Sequence, residues 1–202
     1  MGECGPVESI VRSNNLHTVC REALCPNRAE CYSRGKATFL ILGDVCTRGC
    51  GFCSVLRGAP KPPDPGEPQR VAKAAEEMAL TNVIVTSVTR DDLPDGGAGI
   101  FAETVRSLKR LAKSPVVEVL VPDFGGSVES IAAVLDAGPD IFSHNVETVR
   151  RLYDKVRRGA DYDRSLFVLS EAKRIRGEVI TKSSLILGMG ETAGEVLGAF
   201  RD

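Results

Sequence analysis

The stretch Phe39-Leu-Ile-Leu-Gly-Asp-Val-Cys46-Thr-Arg-Gly-Cys50-Gly-Phe-Cys53 joins a short apolar run to three cysteines spaced CxxxCxxC. An apolar run of this length bounded by glycine reads as a buried strand, so the cysteines fall in the loop that leaves it. Three thiolates cannot fill the four corners of an iron–sulfur cube, and one iron is then open to an outside ligand. Structural zinc and electron-carrying clusters are normally closed by four protein ligands, so storing electrons does not need that vacancy. A disulfide reading would crowd three cysteines into eight residues and leave one unpaired.

A second triplet lies upstream, Cys20, Cys25 and Cys31, spaced CxxxxCxxxxxC. Two triplets imply two clusters. Pooling all six cysteines into paired zinc sites is the competing reading, but zinc modules favour pairs two to four residues apart and neither triplet supplies two such pairs. Cys4 is the odd thiol and has no assignable role.

Downstream of the first strand, apolar runs recur at Val83–Val88, Val116–Val121, Ile141–Val146 and Val179–Leu187. Between them, apolar residues repeat at helical period: Val71, Ala74, Ala75, Met78; Phe101, Val105, Leu108, Leu111; Val128, Ile131, Val134, Leu135; Leu166, Leu169, Ala172, Ile175. These stripes are core-facing. Gly138 and Gly177 stand where left-handed helix ends are expected, and Pro115 and Pro139 close to the next strand starts. The pattern predicts a parallel α/β chain, and both a doubly wound sheet and a partial barrel fit it.

In parallel α/β folds chemistry gathers beyond the carboxyl ends of the strands. There the chain carries the CxxxCxxC cysteines, Thr89-Arg-Asp91-Asp92, His144-Asn145-Val-Glu147 and Gly188-Met-Gly190-Glu191, whereas strand starts carry nothing unusual. Asn145 and Glu147 offer an amide and a carboxylate suited to a vicinal diol or an amino group, against the plainer reading of a polar strand-end cap. His144 reads as a structural hydrogen-bonding histidine, since Ser143 and Asn145 make no metal constellation. Asp91, Asp92 and Asp95 beside Gly96-Gly97 read equally as turn residues. Lys182 lies inside the fifth strand, where an inward charge is costly unless it pairs or meets a ligand. Gly188 to Ala193 superficially fits a GxGxxA dinucleotide fingerprint, but it falls in the last strand–helix unit without room for the acidic partner about 20 positions on.

At 202 residues and 43% hydrophobic, the chain suits one sizeable core. A net charge of −1 gives no long-range field for nucleic acid, and no apolar run approaches the ~20 residues that span a bilayer. The start lacks a signal-peptide pattern, so a cytoplasmic protein is expected, with cysteines serving as metal ligands in a reducing compartment. Pro60, Pro62, Pro63, Pro65 and Pro68 make an extended segment before a helix, either a linker or one wall of the cluster site. From Thr148 to Arg176 nine Lys/Arg face four Asp/Glu, readable as a solvated helix surface or a docking face.

The chain from about Val11 onward resembles the lipoyl synthases, radical S-adenosylmethionine enzymes. The resemblance rests on the pairing of CxxxxCxxxxxC with CxxxCxxC, and on Asn15-Leu-His-Thr-Val-Cys20, Ala37-Thr-Phe-Leu-Ile-Leu-Gly-Asp44, Val85-Thr-Ser-Val-Thr-Arg-Asp-Asp-Leu-Pro-Asp-Gly-Gly97, His144-Asn-Val-Glu-Thr148, Gly159-Ala-Asp-Tyr162 and Thr181-Lys-Ser. It implies a partial parallel (β/α) barrel over 38–202 behind a cysteine-rich N-terminal extension, 1–37. It implies two 4Fe–4S clusters. One, on Cys46, Cys50 and Cys53, chelates S-adenosylmethionine and breaks it by one-electron reduction. The other, on Cys20, Cys25 and Cys31, donates the sulfur for C6 and C8 of an octanoyl chain amide-linked to a carrier protein. Asn145, Glu147, Lys182, Gly188 and Gly190 are the candidate cofactor contacts, the glycines allowing close backbone approach.

Implied partners are the octanoylated carrier and a reduced donor such as ferredoxin or flavodoxin, with no nucleic acid and no membrane. Family members continue for several tens of residues beyond the equivalent of Asp202, with a last strand–helix unit and a serine that closes the auxiliary cluster. The expectation is therefore a fragment with an open fifth-strand edge, able to cleave cofactor weakly and unable to yield lipoyl product. Another radical enzyme with a different substrate, and a passive two-cluster electron carrier, are the alternatives.

Overall fold

The structure is a computed structural model and describes residues 5–202, so Cys4 lies outside the described residues. In chain order the elements are α1 Gly5–Ser13, β1 His17–Thr18, α2 Val19–Glu22, α3 Arg28–Ser33, β2 Lys36–Ile41, β3 Val45–Cys46, β4 Leu56–Arg57, α4 Glu67–Glu77, β5 Asn82–Ser87, α5 Ala98–Lys109, β6 Val116–Leu120, α6 Val128–Asp136, β7 Ile141–Ser143, α7 Tyr153–Val156, α8 Tyr162–Ile175, β8 Ile180–Lys182 and α9 Ala193–Ala199.

The main sheet runs β1-β2-β5-β6-β7-β8, parallel throughout except for β1, which pairs antiparallel to β2. The parallel strands lie in sequence order without a reversal. A doubly wound sheet needs a reversal to place helices on both faces, whereas same-handed crossovers in one direction put every helix on one side. That choice, open in the sequence, falls to the partial barrel. β1 lies on one edge and β8 forms the other.

Alternation within the strands fixes which residues face the helices. Phe39, Val85, Val119 and Phe142 are in register across β2, β5, β6 and β7, and all are fully buried beneath α4, α5, α6 and α8. The neighbouring row, Thr38, Ile84, Glu118, Ile141, turns to the concave face. Helix starts follow their caps: Ser127 accepts from Ser130 N–H ahead of α6, and Asp161 from Arg164 N–H ahead of α8.

Strands four and five are shorter than the apolar runs suggest. Beyond β7 the N–H of Val146 donates to the Ser183 hydroxyl and not to the ladder, and Glu147 takes φ 68°, which breaks the pleat; one isolated bridge, Glu147 to Leu185, resumes the pairing. Gly138 has the expected left-handed backbone, φ 81°, but Gly177 does not. α8 ends at Arg176, whose backbone is extended (φ −136°, ψ 87°), and the Lys173 ammonium takes the carbonyls of Gly177 and Val179 in the segment that follows. The proline segment is irregular as expected, and α4 opens slightly early, at Glu67 with Pro68 in its first turn.

Candidate metal centre and cofactor mouth

The end of β2 is turned sharply by Leu42 (φ 67°) and Gly43 (φ 93°), which redirects the chain from strand into the cysteine loop. A non-glycine residue in the left-handed region needs support. Leu42 has it on both sides: its N–H donates to the buried Glu67 carboxylate at 2.9 Å, and its carbonyl accepts from Arg90 at 3.3 Å. Cys46 then sits in the two-stranded β3–β4 pairing, and Cys50 and Cys53 follow in the loop.

The loop is fastened to its neighbours. The Thr47 hydroxyl and N–H both reach the Thr89 carbonyl, and Gly51 N–H donates to Val156 O at 2.8 Å. Arg48 N–H faces the Cys46 sulfur at 3.4 Å, while its guanidinium lies on Asp91 and Asp123. Burial pushes the Cys50 thiol up, the nearby charges of Cys53 and Cys46 act the same way, and Arg157 and Arg48 oppose them. Three thiols on one loop, with the guanidiniums of Arg157 and Arg48 near Cys50, form a donor set for a cationic metal core.

All six described cysteines are free thiols, and among the described residues no three His, Cys, Asp or Glu side chains converge on one point as a single ion would require. A cube takes its ligands on separate irons, so three thiols spread along one fastened loop fit it without such convergence.

Next to the loop, His144 is enclosed, with Nδ1 2.8 Å from Val121 O and Nε2 3.1 Å from the Ser165 hydroxyl. Ser165 also accepts from Tyr153 and Arg157, and Arg157 from there lends its charge to Cys50, Glu147 and His144. The structural reading of His144 agrees with these bonds. Asn145 and Glu147 sit just beyond β7, both half-buried; burial raises the Glu147 carboxyl, with the Asn145 amide and the Arg157 charge opposing. Beside them Thr148 has a buried hydroxyl with no partner among the described residues, as does Ser87 at the end of β5. Gly188 and Gly190 have φ 97° and 106°, with open space where a side chain would stand.

The concave face holds a cavity of about 270 Å3 lined by Cys20, Cys31, Thr38, Ile84, Glu118 and Lys182, among others. The expectation that strand starts carry nothing unusual is thereby corrected: the starts of β2, β5 and β6 border the upstream cysteines. Cys20 lies in α2 and Cys31 in α3, while Cys25, between them, is not part of that lining. Lys182 is on this face, its ammonium 2.8 Å from Glu118, which also accepts from the Ser143 hydroxyl. The Lys182 side chain is 54% exposed on the edge strand, so the charge is not the buried one that the strand position suggested, and its pairing with Glu118 is not forced by burial.

The three aspartates of the second strand-end motif are also placed. Asp91 holds Arg48, Asp92 holds the buried Arg90 in a two-pronged pair, and Asp95 accepts from the N–H groups of Gly97 and Gly99 to start α5. The positive stretch is largely engaged: Arg150 on Asp163, Arg151 on Glu195, Arg164 on Asp123, Arg174 on Glu171. That favours its reading as a folded helix surface. Asp123, Arg157, Arg164 and Glu118 were not anticipated. Asp123 follows the third strand, the one strand end at which the sequence pattern drew no attention, and the same rule would have found it.

Residues 40–202 match the description of the radical SAM superfamily. A curated lipoyl synthase of Symbiobacterium thermophilum is 54% identical over 196 residues, which cover 97% of this chain and 61% of that protein. Another, from Caldanaerobacter subterraneus, is 52% identical over 97% of this chain and 69% of its own length. The chain belongs to the lipoyl synthase family of radical SAM proteins. The cofactors of that family are 4Fe–4S clusters and S-adenosylmethionine, which the two triplets and the mouth residues fit. The chain spans 61% to 69% of the length of these two lipoyl synthases. The fold matches the crystal structure of methylornithine synthase with a TM-score of 0.61 at 15% identity, over all of this chain and 57% of that one.

Proposed function

We propose that this chain carries the radical-generating and sulfur-donating parts of a lipoyl synthase, acting on an octanoyl group amide-linked to a carrier protein and inserting sulfur at C6 and C8. The observation that carries the reading is the placement of the two cysteine triplets: CxxxCxxC at the carboxyl end of β2, and Cys20 with Cys31 on the cavity of the same sheet's concave face. When bound, a reduced cluster with an open iron supplies one-electron cleavage of S-adenosylmethionine and so a radical able to take hydrogen from unactivated carbon.

The chain's own residues then hold and shield. Cys46, Cys50 and Cys53 ligate one cluster, and Cys20, Cys25 and Cys31 the other. Asn145 and Glu147 receive the ribose hydroxyls or amino group of the cofactor, a role supported by their position just beyond the end of β7. Gly188 and Gly190 offer bare backbone to the adenosyl group, and Lys182, tied to Glu118, is the contact on the cavity side. A small reduced carrier such as ferredoxin or flavodoxin supplies the electron in the cytoplasm, with neither nucleic acid nor membrane as partner.

The test is anaerobic reconstitution, reduction and addition of S-adenosylmethionine. The expected product is 5′-deoxyadenosine, lost in Cys46→Ala, Cys50→Ala and Cys53→Ala, each retaining about four of roughly eight irons, one cube of two. Replacing Cys20, Cys25 and Cys31 together should remove the other cube and leave cofactor cleavage in place. Mass spectrometry of an octanoyl-lysyl carrier peptide incubated with the full-length protein then looks for added sulfur. A reduced protein that yields no 5′-deoxyadenosine is an electron carrier, and a radical enzyme that leaves the acyl chain unsulfurated has another substrate.

A further inference from the structure

Arg48 lies between two cluster cysteines, yet only 10% of its side chain is exposed. Its guanidinium forks twice. Nε and Nη2 donate to Asp91 at 2.8 and 2.6 Å, and Nη1 and Nη2 donate to Asp123 at 2.8 and 2.9 Å. Asp91 stands beyond β5 and Asp123 beyond β6, so a residue of the loop that follows β2 is fastened to the two neighbouring strand ends. Asp123 has no exposed side-chain surface and also accepts from Arg164 Nε at 2.9 Å and Gly125 N–H at 3.1 Å.

Exposed ion pairs are worth little, but a guanidinium enclosed between two carboxylates has one direction open to it, and a lysine cannot reproduce that double fork. Every formal charge here is matched, two carboxylates against two guanidiniums, which offsets part of the cost of burial. The same residue presents its backbone N–H to the Cys46 sulfur. Hydrogen bonds to ligand sulfurs are one of the levers on cluster potential. Fixing the Arg48 side chain therefore fixes an amide that faces a metal ligand.

We propose that Arg48, clamped by Asp91 and Asp123, is a positioning residue that holds the Cys46–Cys53 loop in its ligating shape and aims an N–H at the Cys46 sulfur. The inference rests on the cluster assignment above, and its test separates the two. Arg48→Lys and Arg48→Gln are made in the full chain, reconstituted, and compared with the parent in three measurements: the electron paramagnetic resonance line shape of the reduced, S-adenosylmethionine-responsive cluster, its midpoint potential, and its rate of loss to a ferrous chelator.

Both variants should fold with a lowered melting temperature, since the buried Asp123 keeps only Arg164 as a full guanidinium partner, and should retain the iron held by the upstream triplet below that temperature. The responsive cluster should show an altered line shape and shifted potential, and be stripped about tenfold faster, the fold-change one lost charge-assisted hydrogen bond gives. Line shape, potential and stripping rate all matching the parent would overturn the proposal. Should both Arg48 variants fail to fold, Asp91→Asn, at the 45%-exposed arm of the clamp, carries the same three measurements, and parent-like values there overturn it equally. A parent with no responsive cluster sinks the metal assignment itself, and the clamp with it.

Discussion

The His144 ring has no path to water, and burial pushes its pKa down from 6.5 to about 4, the Arg157 charge acting the same way while the Val121 carbonyl and Asp123 oppose. Between those two values an unfolded chain binds a proton that the folded chain refuses, so stability rises with pH there and is lost as pH falls. The size is about 3 kcal/mol for the full interval. Asp123 adds a second acid-side loss. Burial alone would raise its carboxyl, but Arg48 and Arg164 hold it at about 2, so its contribution is present above 3.8 and disappears as pH falls toward 2. Urea midpoints measured from pH 7 to 4 should fall steeply, and His144→Asn should flatten that slope while lowering the pH 7 value. An unchanged slope in the variant would remove His144 as the cause. At this scale the two cysteine triplets were legible from spacing, because spacing is a local property. Arg48 and Arg157 were not, since each acquires its role from residues far along the chain, and Asp123 was open only to the strand-end rule.

Elements meet at the site through two short turns. Leu42 ends β2, and Gly97, at φ 90°, opens α5 against it; a Cβ added to Gly97 would collide with Leu42 Cδ1. Gly97→Ala therefore combines backbone strain with overpacking and should cost about 2 kcal/mol or more. Gly198 in α9 has nothing within 4 Å of an added carbon and lies in an ordinary helical stretch. Gly198→Ala should add about 0.5–1 kcal/mol. Denaturant midpoints of the pair check both signs, and equal effects would mean that the Gly97 contact does not constrain the fold. The helical stripes were readable from periodicity, as were the cores of the strands. The early ends of β7 and β8 were not, because the Ser183 hydroxyl replaces a ladder partner and apolar content cannot report that exchange.

Across the whole molecule, β8 lies at the sheet edge, and Ile180, Ile186, Leu187, Leu197 and Phe200 are all exposed on or after it. Unpaired strand edges bordered by apolar side chains template association. The isolated chain should self-associate at tens of micromolar, order of magnitude, and Ile180→Lys should reduce this by placing a charge on the edge strand. Light scattering over a concentration series reads it, and a parent that stays monomeric throughout would show that the edge is harmless. No described helix is long and apolar enough to cross a membrane. By itself the sequence determined the chemistry on offer: two thiol triplets of different spacing, alternating strand and helix, and polar residues at strand ends. These are short-range patterns, and period and spacing encode them directly. Tertiary structure decided what surrounds each triplet. The unreversed strand order puts the crossover helices α4, α5, α6 and α8 on one side and leaves a concave face on the other, where Cys20 of α2 and Cys31 of α3 border the Glu118–Lys182 pair; it also brings Asp91 and Asp123 onto Arg48. Those contacts depend on how strands neighbour in space, and a linear pattern carries no record of which distant residues a sheet will set side by side.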